Sequence, residues 1–393
     1  MKRVKFILPL SALVLLTLAC TKKADFNYYY YSPEEYALLG QYLNLPDTPD
    51  DYTVEFPQHL RSQGLFPRAV ERDKAVLGRV LFYDKNLSKD ATIACGSCHK
   101  QTAGFGDTKA VSDGVYNRVG DRNSIALASV SNFSAYYGTD LNGSAAIRFF
   151  WDNRAATAME QSRGSLTNPK EMDMHMEEVA AAVQAQPYYA PLFKKAYGDA
   201  VITQDRVLES IANFVNAMGS YQSRFDEEAA KAAGYTYNFD YRTNFSNFNA
   251  QENSGKRIYQ DNCASCHSPY MGRPMLYNAN NGLDAGTTAD RGVGAITGIN
   301  LDEGTFKVPT LRNITLTAPY MHDGRFKTLE EVIEHYNSGV QDHPNLHPFL
   351  KSGNQAKRLN LSEAQKSDLV AFLGTLTDDK VRNATRFSDP FKQ

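Results

Sequence analysis

Apolar side chains recur every three or four residues along several short stretches of the chain, and segments rich in glycine and proline separate these stretches. The spacing predicts amphipathic helices, because residues three and four positions apart share one helix face. Runs in which apolar and polar residues alternate, as they do in a half-buried strand, are few. We predict helices at residues 33–43, 68–83, 157–164, 175–186, 203–222, 249–262, 328–338 and 362–374.

Two of the predicted helices begin with a capping box, in which two side chains near the helix start each accept a backbone N–H. The pairs are Thr328 with Glu331 and Ser362 with Gln365. Residues 230–247 are rich in tyrosine and asparagine and lack a helical period, so we interpret them as the connection between two domains.

The composition limits the class of protein. The 393 residues are 42% hydrophobic and 22% charged, which is typical of a globular protein, and the length suits two or three domains. The formal net charge of −2 argues against nucleic acid as a partner, because phosphate binding requires an excess of basic residues.

The N-terminus has the pattern of an export signal. Basic residues precede an apolar run at 6–18, which is too short to span a bilayer. The run ends at a small residue followed by Cys20, as in a lipoprotein cleavage site where the cysteine takes a lipid. We predict a signal peptide at 1–19, a lipidated Cys20 and a tether at 20–45, in a periplasmic protein held at the outer membrane through this lipid alone. Ordinary signal cleavage beside an unmodified cysteine is the alternative.

The other four cysteines fall in two C-x-x-C-H motifs. The first consists of Cys95, Cys98 and His99, and the second of Cys263, Cys266 and His267. In this spacing the two thiols add to the vinyl groups of one haem, and the histidine coordinates its iron. A zinc site would need four ligands, and a redox dithiol would not need the histidine. The sequence therefore predicts two c-type haems, one in each of two domains.

Longer strings around these motifs resemble the bacterial di-haem cytochrome c peroxidase and MauG superfamily. The strings are LGRVLFYDKNLS at 77–88, FFWDNRAAT at 149–157, NPKEM at 168–172 and VPTLRNITLTAPYMHDGRFKTLEEV at 308–332. The resemblance implies an all-α fold of two cytochrome c-like helical domains, which we place at 46–229 and 248–393. It also implies that the first haem is peroxidatic and that the second transfers electrons.

The resemblance further implies a first haem that is open to peroxide. Many family members carry a histidine that blocks the iron opposite its proximal ligand, and that position aligns with Val115 here. No histidine lies between His99 and His175. Since valine cannot bind iron, we expect the site opposite His99 to be open. For His175 itself we favour a surface position on a helix over a place beside the haem.

Peroxide cleavage requires a group that moves a proton between the two oxygens and a donor that holds the far oxygen. The resemblance places Glu171 and Gln161 in these roles. Without it, Glu171 would be read as a solvated acid at a helix start. Trp151, the single tryptophan of the chain, matches the family position between the two haems that mediates electron transfer. A plain core role for this indole is the alternative.

The second haem needs a sixth ligand, which decides its potential. The family position that carries methionine in the peroxidases is Tyr336 here, as in MauG-like enzymes. Leu329, Ile333 and Tyr336 share one helix face by spacing, so Tyr336 is expected to point inward. Two alternatives remain: Met321 could ligate the iron, or Tyr336 could simply pack.

The family also binds calcium between its domains, through an asparagine side chain and backbone carbonyls. The matching positions are Asn123, Thr317 and Pro319, and oxygen donors of this kind suit calcium. Four of the remaining histidines are interpreted as surface groups. These are His59, His335, His343 and His347.

Three functions are consistent with these residues. The first is reduction of hydrogen peroxide with electrons from a small cytochrome c or a cupredoxin. The second is MauG-like use of peroxide to oxidise a partner protein. The third is electron transfer by a non-catalytic di-haem cytochrome c. Glu171 and an open first haem argue against the third function, and Val115 together with Tyr336 favours the second over the first.

Overall fold

The computed structural model describes residues 30–130 and 148–392. Cys20 and the predicted signal peptide 1–19 lie outside these residues. Within the described ranges, no helix combines the length and apolar character needed to cross a bilayer.

The described chain is mostly helical. The α-helices are Pro33–Tyr42, Gln58–Arg61, Arg72–Tyr83, Cys95–Cys98, Ala158–Thr167, Met176–Ala185, Tyr189–Tyr197, Gln204–Ala217, Arg224–Ala233, Ala250–Asn262, Ala264–His267, Gly294–Thr297, Leu329–Glu334, Glu363–Gly374 and Asp379–Asn383. Short 3-10 turns lie at Lys85–Leu87, Gln101–Ala103, Val115–Asn117, Asn300–Asp302, Ile314–Leu316, Pro348–Leu350 and Thr385–Phe387, and a π-helical turn at His335–Gly339.

The strands in this part of the chain form two small antiparallel pairs. Asn278–Ala279 pairs with Phe306–Lys307, and Lys351–Ser352 pairs with Gln355–Ala356. Each strand has two residues, so the pairs fix loops and build no layer of the fold. The prediction of an all-α architecture is confirmed.

Each C-x-x-C-H motif follows a helix that crosses a later helix at a glycine. In the first core, Arg72–Tyr83 packs on Gln204–Ala217, and a Cβ on Gly78 would lie 1.9 Å from the carbonyl oxygen of Ser210. The two backbones can approach this closely only because glycine has no side chain. The crossing fixes the helix that leads into the first haem motif.

The second core repeats this arrangement. Ala250–Asn262 packs on Glu363–Gly374, and a Cβ on Gly255 would lie 1.8 Å from the carbonyl oxygen of Asp368. Glu363–Gly374 starts with the predicted capping box, in which the Ser362 hydroxyl accepts the Gln365 N–H. The same crossing in both halves agrees with two domains of one type.

Residues 230–247, which the sequence analysis assigns to the interdomain connection, pack against the second core. Ala233, Tyr241 and Phe245 are buried there. The helix Arg224–Ala233 reaches into the segment from its N-terminal side. The connection is therefore an ordered part of the second core, built from aromatic side chains whose spacing follows no helical period.

Candidate functional site: two cavities that share a wall

The first C-x-x-C-H motif forms a single helical turn, and His99 follows it with its ring partly buried. The ring Nδ1 lies 2.8 Å from the Phe105 carbonyl oxygen. Since a carbonyl only accepts, Nδ1 carries the proton and Nε2 keeps its lone pair for a metal. Burial lowers the pKa of His99, which favours the neutral ring that iron requires.

The first motif borders a cavity of about 710 Å³ that also brings together the predicted catalytic residues. Gln161, Glu171 and Trp151 all border it, together with Cys95, Cys98 and His99. His99 is the only histidine among the described residues that line it. Val115 is buried without lining the cavity. The cavity that holds His99 thus also offers an acid, an amide and an indole.

Glu171 is held at this cavity by a close contact between two loops. The Val115 N–H donates to the Glu171 carbonyl oxygen at 2.9 Å. A Cβ on Gly114 would lie 2.1 Å from the Lys170 carbonyl oxygen, so the loops can meet only at a glycine. The Asn168 amide donates to Glu171 Oε1 at 2.8 Å. Backbone and side chain of Glu171 are therefore both fixed.

Gln161 lies on the helix Ala158–Thr167, which begins at the cap Thr157. Its amide Nε2 donates to Ser165 Oγ at 3.0 Å. An amide nitrogen has two N–H groups, so one remains for a ligand in the cavity. His175 caps the next helix and is exposed, as predicted.

The second motif repeats the arrangement in a smaller cavity of about 230 Å³, lined by Cys263, Cys266 and His267. His267 Nδ1 lies 3.0 Å from the Pro309 carbonyl oxygen, which again leaves Nε2 for a metal. Burial lowers the pKa of His267 as well. The four described cysteines form no disulfide. Burial raises the pKa of the Cys263 thiol to about 12, which keeps this thiol protonated.

Both candidates for the sixth ligand lie at one point of this second cavity. The Asn281 amide Nδ2 lies 3.3 Å from Tyr336 Oη and 3.5 Å from Met321 Sδ. Tyr336 points inward, as the spacing predicts, and lies in the π-helical turn His335–Gly339. Burial raises the pKa of Tyr336 to about 12, and the Asn281 hydrogen bond opposes this rise. Asn281 lies 55 residues before Tyr336 and outside both haem motifs, so no sequence pattern indicated it.

Trp151 borders both cavities. Its Nε1–H donates to the Asn123 carbonyl oxygen at 2.8 Å, and its own carbonyl oxygen accepts the Lys307 N–H at 2.7 Å. Asn123 therefore holds the indole and Lys307 holds the backbone of Trp151, so residues from both halves of the chain position this residue in the wall that the cavities share. The place of Trp151 between two haems stays a prediction.

The three predicted calcium-binding residues, Asn123, Thr317 and Pro319, all line the second cavity. The Asn123 side-chain nitrogen donates to the Lys109 carbonyl oxygen at 3.1 Å, which leaves the side-chain oxygen as the acceptor end. An amide oxygen and backbone carbonyls form a donor set that calcium accepts. The calcium site stays a prediction.

The surface interpretation of three histidines is wrong. His59, His335 and His343 are buried, with exposed fractions of 0%, 6% and 4%. The buried ring of His335 has a hydrogen-bond partner, because its Nε2 lies 3.1 Å from the Asn281 carbonyl oxygen. Sequence spacing places these residues in loops or on helix surfaces, and segments distant in the sequence lie against them, with Asp226 beside His59 and Asn281 beside His335.

The chain matches two family models. Residues 72–233 match the model described as di-haem cytochrome c peroxidase, and residues 253–377 match the cytochrome c model. MauG of Methylorubrum extorquens is 32% identical over 77% of this chain and 78% of its own length. The chain belongs to the di-haem cytochrome c peroxidase and MauG family.

Other family members support the same assignment. The cytochrome c551 peroxidase of Nitrosomonas europaea is 32% identical over 78% of this chain and 81% of its own length. A solved MauG-like protein associated with microbial copper homeostasis is 28% identical, with a TM-score of 0.67 over 87% of this chain and 98% of that one. The chain is thus a di-haem oxidoreductase of the peroxidase family, and both cavities carry the thiols and the histidine that a c-type haem requires.

Proposed function

We propose that this di-haem enzyme reduces hydrogen peroxide at the first cavity and draws the electrons, through the second, from a partner protein that it oxidises. The observation that carries the proposal is the grouping of Glu171, Gln161 and Trp151 on the one cavity that also holds His99. When bound, the first haem supplies the iron at which peroxide is reduced.

Glu171 is the proton-transferring group in this proposal. Its Oε1 is fixed by Asn168, so Oε2 takes the proton from the near oxygen of peroxide and returns it to the far oxygen, which leaves as water. The remaining N–H of Gln161 holds the far oxygen in place. Both roles require side chains that are held still, and the hydrogen bonds to Asn168 and Ser165 provide this.

Trp151 carries electrons between the halves of the molecule. An indole is oxidisable, and this one borders both cavities and is fixed by hydrogen bonds at both ends of the residue. Among the described residues that border both cavities, Trp151 is the one with an oxidisable aromatic ring.

The second cavity favours oxidation of a partner protein over turnover with a small cytochrome c or cupredoxin as the electron donor. Tyr336 lies beside Asn281 with its ring inside the cavity, where it can ligate the second iron. A phenolate is a hard anionic ligand that stabilises oxidised iron, which makes the second haem a poor entry point for donor electrons. Met321, at 3.5 Å from the same amide, is the competing ligand and would favour the cytochrome c donor instead.

The test uses the oxidised di-haem protein and hydrogen peroxide. We expect a haem absorption change within milliseconds that persists for minutes without a donor, and slow turnover with reduced cytochrome c. Glu171→Gln should slow the absorption change about 100-fold. Glu177→Gln, at an acid on the next helix that does not line the cavity, is the matched control and should react at the wild-type rate. Fast turnover with cytochrome c would instead support the peroxidase alternative.

The export predictions complete the proposal. We place the enzyme in the periplasm, with the signal peptide 1–19 removed and Cys20 lipidated at the outer membrane, and with calcium held by Asn123, Thr317 and Pro319. Mass spectrometry of the mature N-terminus distinguishes a lipidated Cys20 from ordinary cleavage. Chelation followed by metal analysis tests for calcium.

A further inference from the structure

Two buried tyrosines of the first core share one carboxylate. Tyr188, Tyr189 and Asp84 are each at most 3% exposed. The Tyr188 hydroxyl donates to Asp84 Oδ2 at 2.8 Å, and the Tyr189 hydroxyl donates to the same oxygen at 2.7 Å. Asp84 Oδ1 accepts the backbone N–H and the side-chain amide of Asn86, both at 2.8 Å. Both phenols therefore donate to a carboxylate that hydrogen bonds hold in place inside the protein.

This group is connected to the first haem attachment. Asp84 directly follows Tyr83, the last residue of the helix Arg72–Tyr83. A Cβ on Gly96, inside the C-x-x-C turn, would lie 2.5 Å from the Tyr83 ring, so this ring packs directly on the turn. The helix Tyr189–Tyr197 packs on the same helix as the turn does. Because a c-type haem is bound covalently to the cysteines of this turn, Tyr83 and Asp84 connect its attachment to the tyrosine pair.

A series of aromatic rings continues from the pair to the surface. The ring centroids of Tyr188 and Tyr189 are 4.7 Å apart, and the Tyr42 centroid lies 5.3 Å from that of Tyr188. Rings at these separations are in contact. Tyr42 is 37% exposed. Since a phenol is oxidisable, the three rings form a continuous series of redox-active groups from the buried carboxylate to solvent.

The carboxylate matters because a phenol that loses an electron becomes strongly acidic, so its oxidation inside a protein requires a base at hydrogen-bond distance. Asp84 is such a base for Tyr188 and Tyr189. Tyr52, another buried tyrosine of this core, donates instead to the Arg386 carbonyl oxygen, which does not take up a proton. Burial and the charge of Asp84 raise the pKa of Tyr189, so this phenol keeps its proton until an electron leaves.

We propose that Tyr189, Tyr188 and Tyr42 form a second exit for oxidising equivalents, through which a small one-electron reductant at the surface discharges the first haem site without Trp151. The inference rests on the proposed reduction of peroxide at the first cavity. Tyr189 gives one electron to the haem that peroxide has oxidised and its phenolic proton to Asp84 Oδ2. Tyr188 then reduces the Tyr189 radical: the proton on Asp84 returns to Tyr189, and Tyr188 gives its own proton to Asp84.

The radical next moves to the surface. Tyr42 gives an electron to Tyr188, which recovers its proton from Asp84, and the Tyr42 proton passes to solvent. A reductant such as ascorbate then returns one electron to Tyr42, and a proton from solvent restores the phenol. Two such transfers supply the two electrons that one peroxide removes.

The test is electron paramagnetic resonance of the oxidised di-haem protein, frozen at short times after peroxide is added. We expect a tyrosyl signal that narrows when the protein is made with ring-deuterated tyrosine. The double variant Tyr188→Phe, Tyr189→Phe should lose most of this signal. Asp84→Asn, which keeps an acceptor oxygen but not the base, should lose it as well. Tyr52→Phe, which removes a buried hydroxyl that does not contact Asp84, is the matched control and should keep the wild-type signal.

The surface end is tested with ascorbate. Tyr42→Phe should keep the signal of the buried pair, prolong it, and slow the return of the haem spectrum that ascorbate causes. The haem content of each variant is measured first, by its alkaline pyridine spectrum. If the double variant does not mature with two haems, the single variants Tyr188→Phe and Tyr189→Phe, each of which removes one hydroxyl, enter the same comparison.

The haem absorption change with peroxide separates this inference from the proposed function. Its absence in the wild-type protein would refute the proposed function and the second exit with it. An absorption change without a tyrosyl signal, or with a signal that is unchanged in both the tyrosine variants and Asp84→Asn, would refute the second exit alone. A purely structural role of the shared carboxylate predicts that unchanged signal.

Discussion

Replacement of Gly114 by alanine tests how the first cavity positions its acid. The new Cβ would lie 2.1 Å from the Lys170 carbonyl oxygen and 3.0 Å from that of Glu171. An ordinary carbon–oxygen contact begins near 3.4 Å, so the loop that carries Glu171 must move by roughly 1 Å. The hydrogen bond from the Val115 N–H to the Glu171 carbonyl oxygen would stretch or break with it.

The expected cost follows from this displacement. A misplacement of about 1 Å in a reacting group lowers a rate by about 100-fold, which is about 2.7 kcal/mol of activation free energy. We therefore expect Gly114→Ala to slow the peroxide-induced absorption change nearly as much as Glu171→Gln does. Both His99 and the thioether attachments lie outside the moved contact, so the haem content should be unchanged.

The assay is stopped-flow mixing of the oxidised protein with peroxide, and Gly120→Ala provides the control. Gly120 also lines the first cavity, but a Cβ there would lie 3.5 Å from the Ser112 carbonyl oxygen, an ordinary contact. We expect Gly120→Ala to react at the wild-type rate. A Gly114→Ala protein with full haem content and a rate within threefold of wild type would refute the reasoning, since the loop contact would then not position Glu171.

Three further predictions concern other parts of the molecule. Gly255→Ala should force the helix crossing of the second core apart and lower the stability by about 1–3 kcal/mol in thermal unfolding, whereas Gly374→Ala, with open space around it, should not. Asn281→Leu removes the hydrogen bond to Tyr336 Oη and should shift the absorption spectrum of the second haem alone; an unchanged spectrum would show that the amide does not affect its sixth ligand. Burial lowers the pKa of His59 to about 4. Between pH 6.5 and pH 4 the unfolded chain therefore binds more protons at this residue than the folded chain does. The free energy of unfolding should fall by up to about 1.4 kcal/mol per pH unit as the pH drops through this window. In His59→Gln, denaturant titrations across the same window should lose this slope.

Much of the local structure follows from short-range rules. The predicted helices correspond to observed ones, and the capping boxes at Thr328 and Ser362 form as expected, because a cap involves residues three positions apart. The helix predicted at 203–222 ends earlier, at Ala217, where the backbone of Met218 leaves the helical region. The helices Tyr189–Tyr197 and Arg224–Ala233 are not among the predicted ones, although their buried residues recur at three- and four-residue spacing, as in Tyr189, Leu192 and Phe193.

The contacts that shape the site could not be read from the same rules. Asn281 meets Tyr336 across 55 residues, and Gly114 meets Lys170 across a similar span. The buried His59 lies 3.6 Å from Asp226, which is on the helix Arg224–Ala233 of the second core, more than 160 residues later in the chain. Long-range pairs of this kind depend on how helices and loops are brought together, which periodicity does not describe.

By itself the sequence determined that the protein carries two haems and where each is attached, because covalent attachment and the proximal ligand require only five consecutive residues. Only the tertiary structure decided what surrounds those haems. It placed Trp151 and Lys307 in one wall and brought Tyr336 and Met321 to one amide. These contacts join segments that lie 40 residues or more apart, and close packing of the folded chain selects them.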